Sequence, residues 1–95
     1  MDRKAFLETA HDIICNQRQN VHGAPEDTFQ LMADYWNVYL SKCHDTPVHL
    51  SSADVSMMMV LFKLARFQMN GAHDDNIVDG IGYMALAGEL THGTN

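Results

Sequence analysis

The run Ser52-Ala53-Asp54-Val55-Ser56-Met57-Met58-Met59-Val60-Leu61-Phe62-Lys63-Leu64-Ala65-Arg66-Phe67-Gln68-Met69 constrains the fold more than any other part of this chain. Wound as a helix, it puts Val55, Met58, Met59, Phe62, Arg66 and Met69 on one face. Met57, Val60, Leu61, Leu64 and Phe67 cover the other side. A helix that is apolar nearly all round is buried all round. The whole chain has 95 residues, and three other short helices can hardly surround it. The expectation is therefore an all-α, four-helix domain that forms a homo-oligomer, a dimer or tetramer, through its third helix. The methionines would also suit an adaptable binding surface, but packing in a core or oligomer agrees better with the usual burial of such residues.

The rest of the chain reads as three further helices in a single domain, 1–95. The first is predicted from about Asp2 to Gln17, with Phe6, Ala10, Ile13 and Ile14 at helical spacing. Asn20-Val21-His22-Gly23-Ala24 breaks it. Pro25 opens the second helix, where its missing N–H is no loss, and Glu26 and Asp27 complement the helix dipole. That helix is predicted to reach about Ser41, with Phe29, Met32, Ala33, Trp36, Tyr39 and Leu40 turned inward. A polar loop from Lys42 to Leu50 follows. Ser51 or Ser52 caps the third helix, and Ser51-x-x-Asp54 resembles a capping box. Gly71 suits the end of that helix. Asp74 or Asp75 caps a fourth, which runs to about Leu90, and His92-Gly93-Thr94-Asn95 is expected to fray.

Composition removes several classes of function. A net charge of −6 argues against a nucleic-acid binder, because neutralising phosphates needs clustered Lys and Arg. The longest apolar stretch, Met57 to Phe62, falls far short of the ~20 residues of a membrane span. The first residues, Met1-Asp2-Arg3-Lys4-Ala5, do not form a signal peptide. Cys15 and Cys43 make no Cys-x-x-Cys pattern, and together these features predict a cytoplasmic protein. Cys43-His44 with His49, and His73-Asp74, are conceivable metal ligands. Scattered surface histidines explain them more simply.

Chemistry concentrates where the third and fourth helices meet. Arg66 falls inside an apolar stripe with Lys63 one turn earlier, and a buried guanidinium must find an anion. Asp75 and Asp79, four residues apart on the fourth helix, are the candidates. One reading is a salt-bridge cluster joining the helices. The other is a site where Lys63 and Arg66 hold phosphate and the aspartates hold Mg2+.

Two segments resemble a small phage and prophage family of unknown function. His22-Gly23-Ala24-Pro25-Glu26-Asp27-Thr28-Phe29, followed by Ala33 and Trp36, is similar to its Tyr-Gly-Asp-Pro-Glu-x-Asn-Phe…Ala…Trp signature. Met58-Met59-Val60-Leu61-Phe62-Lys63-Leu64-Ala65-Arg66 resembles its Met-x-x-x-Lys-x-x-Arg helix, and Asp75-Asn76-x-x-Asp79-x-x-Gly82-Tyr83 its Asp-x-x-x-Asp-x-x-Gly-Tyr helix. The resemblance covers about Arg18 to Leu90. That family is in turn similar to the MazG-like all-α nucleotide pyrophosphohydrolases, which hold magnesium with Glu-x-x-Glu and Glu-x-x-Asp and commonly work as dimers or tetramers. Here those positions read Lys63-x-x-Arg66 and Asn76-x-x-Asp79, so the first pair has inverted charge and one Glu has become Asn.

The resemblance implies a MazG-like bundle that binds, or in modified form hydrolyses, a nucleotide or related phosphate compound in a phage-infected bacterium. Lys63 and Arg66 would contact phosphate. Asp75, Asn76, Asp79 and Tyr83 would orient those cations or meet the base, with Asp75 and Asp79 also the possible metal ligands. The alternative is a non-catalytic phage protein that binds and inhibits a host defence protein.

Overall fold

In a computed structural model, which describes residues 1–17, 23–71 and 73–92, the chain forms four α-helices, with no strand among the described residues. They are α1 (Arg3–Asp12), continued by a π-helical turn (Ile13–Gln17), α2 (Pro25–His44), α3 (Ser52–Asn70) and α4 (Asp74–His92). None is long and apolar enough to cross a membrane.

Local chemistry sets most of the boundaries. Asp2 caps α1 by accepting a hydrogen bond from the Ala5 N–H at 2.8 Å. The expected regular helix to Gln17 instead widens into the π turn, which carries Ile14 against α4 at Gly82. There, a Cβ on Gly82 would lie 3.2 Å from the Ile14 Cβ. The expected break at 20–22 lies outside the described residues. Pro25 occupies the first turn of α2. That helix runs one turn past Ser41, because Lys42 and His44 sit well at the negative end of a helix dipole. It stops at Asp45, which adopts the left-handed conformation at φ 52°.

Between Ser51 and Ser52, the structure makes Ser51 the cap of α3. Its Oγ accepts from the Asp54 N–H, and the Asp54 carboxylate accepts from the Ser51 N–H, so the box is reciprocal. Gly71, at φ 81°, ends α3 in a conformation that L side chains rarely adopt. Asp74 and Asp75 were expected as caps of α4. They lie inside its first turn instead, and the His73 carbonyl accepts the Asn76 N–H. α4 continues through His92, and residues 93–95 lie outside the described residues.

The α3–α4 hairpin is the centre of the molecule. α2 packs against α3, and α1 with its π turn packs against α4. Phe29, Ala33, Val55, Tyr83 and Leu86 form the buried core, with Ile14, Met32, Trp36, Leu50, Met59, Val60 and Leu90 packed around it. Two polar ties hold the frame. Ser56, fully buried on α3, donates to the Tyr83 carbonyl on α4 at 2.8 Å. The Asn37 amide clamps Leu50, donating to its carbonyl at 3.0 Å and accepting its N–H at 2.6 Å.

Two expectations about facing are corrected. Tyr39, expected inside, is 68% exposed, because the inward stripe of α2 follows Phe29, Ala33, Trp36 and Leu40, and Tyr39 falls beside it. Arg66, expected within a buried stripe, is exposed. Arg66 keeps the angular face of Val55 and Met59 but stands three turns beyond Val55, at the end of α3 where Gln68, Met69 and Asn70 are exposed as well.

Candidate functional site

Two recesses lie along the edge between α3 and α4, and Asn76 lines both. The first is an apolar groove of about 630 Å³, walled by Val60, Leu64, Phe67, Ile77, Ile81 and Met84, with Gly80 and Ala85 in its lining. Its walls follow from helical spacing, since Val60, Leu64 and Phe67 share a face of α3, and Ile77, Ile81 and Met84 share one of α4. Lys63 and Asn76 are its polar members. The second is a polar hollow of about 460 Å³, lined by Arg66, Asn70, His73, Asp75 and Asn76 at the hairpin turn.

The four charged residues singled out in the sequence separate into two kinds. Lys63 and Asp79 form an ion pair at 2.9 Å between α3 and α4, with side chains only 11% and 13% exposed. Arg66 and Asp75 are exposed and line the polar hollow. The four therefore do not form one buried patch. Arg66 makes no ion pair among the described residues, and its guanidinium lies over the half-exposed ring of Phe62, 5.2 Å from the centroid.

Tyr83, expected to meet a base, is 4% exposed. It packs against Phe29 with ring centroids 5.6 Å apart and lines neither recess. Position 83 lies on the α4 face that also carries Asp79, Gly82 and Leu86. That face turns into the core, while the Ile77–Ile81–Met84 face forms the groove. Asn76, by contrast, is buried where the two recesses meet.

Asp75 and Asp79 do not fit a magnesium ion. A divalent cation beside phosphate needs two or three anionic oxygens directed at it. Asp79 already faces the Lys63 ammonium, and among the described residues no three His, Cys, Asp or Glu side chains gather as a metal site.

Asn70 and His73 are members of the hollow that sequence reading did not assign to it. Asn70 stands one helical turn after Arg66 on α3, a spacing that places the two side chains on one face. His73 is brought in by the reversal at Gly71, a tertiary effect with no periodic signal. Chemically, the hollow offers a guanidinium, two amides and an imidazole. Asp75 supplies the accepting group.

A family model described as a domain of unknown function (DUF6378) matches residues 5–91. Similar proteins include the Gene 55 protein of Mycobacterium phage L5, 38% identical over 82 residues, which cover 86% of this chain and 49% of that protein. The Gene 55 protein of Mycobacterium phage D29 is 32% identical over 80 residues, covering 84% and 49%. The chain thus spans about half the length of the curated relatives it matches. No solved structure matches it significantly. These relatives bear out the resemblance to a small phage family of unknown function.

Proposed function

We propose that this chain, which belongs to the DUF6378 family, is a binding protein for a nucleotide or related phosphate compound in the cytoplasm of a phage-infected bacterium. The observation that carries the reading is the adjacency of the two recesses through Asn76. Small-molecule sites are commonly apolar recesses of about 300–1,000 Å³ with a few convergent polar groups at one end. In this reading the apolar groove takes the body of the ligand, and Arg66, which makes no ion pair among the described residues, takes its phosphate with support from Asn70 and His73. Asp75 accepts a hydrogen bond from a ligand hydroxyl such as that of a ribose. Lys63 lines the groove with its charge balanced by Asp79.

The MazG-like resemblance supports a nucleotide as the phosphate compound. The reading is binding rather than hydrolysis, because Lys63 and Arg66 stand where that family places carboxylates, and two cations there would repel a magnesium ion.

A panel of mono-, di- and triphosphate and cyclic nucleotides, with inorganic phosphate as control, tests the proposal by thermal shift. A ligand at a hundred times its Kd stabilises by about 2.7 kcal/mol. Arg66→Ala is expected to abolish the shift while leaving the ligand-free melting temperature nearly unchanged, since Arg66 is exposed. No shift with any nucleotide refutes the reading.

A second reading, a non-catalytic phage protein that binds and inhibits a host protein, is favoured by the outward side of α2. Leu31, Tyr35, Val38 and Tyr39 are all at least half exposed there, and tyrosines are enriched at interfaces. Retention of one stoichiometric host protein by the wild-type chain, lost in Tyr35→Glu, supports it. No retained protein counts against it.

A further inference from the structure

We propose that the outward face of α3 is the contact surface between two copies of this chain. On a helix at a protein surface, the side away from the core normally carries charged residues. α3 does not follow this rule. Met57 and Leu61 form one outward row, and Met58, Phe62 and Met69 line the next, with Leu61 59% and Met69 82% exposed. The one charge between Asp54 and Arg66 is Lys63, and it points to Asp79. From the capping box to Arg66, the exposed face of α3 is therefore uncharged.

The chain exposes more surface than a compact monomer of its mass, and the apolar side chains of α3 are part of that surface. The accessible surface is 6560 Å², whereas a compact monomer of 10.7 kDa has about 5,500 Å². The radius of gyration is 14.5 Å, against about 12.4 Å for a compact domain of this length. The excess of about 1,000 Å² is comparable to the ~800 Å² that each partner contributes to a stable interface. At 19 residues, α3 is about 28 Å long, enough to span such a patch.

A second copy fits this face better than a foreign protein on electrostatic grounds. A two-fold interface places the same patch against itself, so a charged patch would oppose like charges. The net charge of −6 is carried elsewhere, and the α3 face can meet its own image without that penalty. A basic partner would be drawn to the acidic surface instead. The pairs Met57–Leu61 and Met58–Phe62, each four residues apart, suit ridge-into-groove packing. The inference does not depend on the ligand proposed above.

Sedimentation equilibrium of the full 95-residue chain across the micromolar range tests it. Twice the 10.7 kDa chain mass is expected for wild type, and a single-chain mass for Leu61→Glu with its helical circular dichroism intact. Val38→Glu, on the outward side of α2, should leave the pair intact. A wild-type monomer throughout the range overturns the proposal, as does dissociation by Val38→Glu but not by Leu61→Glu. Should Leu61→Glu fail to fold, the milder Leu61→Gln replaces it, and wild-type melting supplies an independent reading. A melting temperature that rises with protein concentration supports the pair, and one that is independent of concentration overturns it.

Discussion

Replacing Lys63 by Met leaves the Asp79 carboxylate nearly buried without the ammonium that faces it at 2.9 Å. Removing one member of a buried ion pair typically destabilises by about 3–5 kcal/mol. Both side chains keep roughly a tenth of their surface, so the lower end, about 3 kcal/mol, is expected. A chain of 95 residues has a total stability of only about 5–14 kcal/mol, so the loss is a large share of it. It corresponds to a fall in Tm of roughly 12–24 °C.

Asp79→Leu should have a similar effect through the stranded ammonium. The double variant, Lys63→Met with Asp79→Leu, strands neither charge and should be no less stable than either single. It stops short of wild type, because Asp79 has a further interaction besides Lys63. The coupling energy is then at least about 3 kcal/mol, at or above the top of the range for contacting residues. Urea unfolding at one fixed protein concentration, followed by circular dichroism and Trp36 fluorescence, measures all four corners. Additive effects, or singles that each lose less than about 0.5 kcal/mol, would refute the reasoning. If the pair is structural and Arg66 is the phosphate contact, the folded double variant also keeps its response to ligand.

Three further outcomes test the frame. Gly88→Ala should stabilise α4 by about 0.5–1 kcal/mol, since a Cβ there meets nothing within 4 Å. Gly82→Ala carries the same propensity gain but presses on the Ile14 Cβ, which is fixed to its backbone. The order of melting temperatures should therefore be Gly88→Ala above wild type above Gly82→Ala. Ser56→Ala removes the buried hydrogen bond to the Tyr83 carbonyl and should lower stability by about 1 kcal/mol, read from the urea midpoint. Ser51→Ala breaks the capping box of α3 and should lower stability by about 1 kcal/mol, with a visible loss of helical circular dichroism on mild heating.

The four-helix, strand-free architecture was legible because the signals that make it are local. Pro25 at a helix start, the Ser51–Asp54 box and Gly71 at a helix end act within one turn of chain, so a reader of residues finds them without knowing the fold. The inward positions of Phe29, Ala33 and Val55 were legible for a related reason, since periodicity assigns residues to shared faces. The surplus of apolar surface on α3 was also legible, and Met57, Met58, Leu61, Phe62, Leu64 and Met69 do remain exposed in the isolated chain.

Which face turns inward was decided only by the tertiary structure. On a helix such as α3, apolar on both sides, periodicity defines the faces but leaves the rotation about the axis open. Packing against α2 and α4 chose the side with Val55, Ser56 and Lys63, and it left Arg66, on that side but near the hairpin end of α3, exposed together with Gln68, Met69 and Asn70. The same choice on α4 sent Tyr83 into the core and turned Ile77, Ile81 and Met84 toward the groove. The residues that carry chemistry were thus visible in the sequence as types. Their sorting into a buried ion pair and an open polar hollow came from side-chain packing between helices, which no single helix encodes.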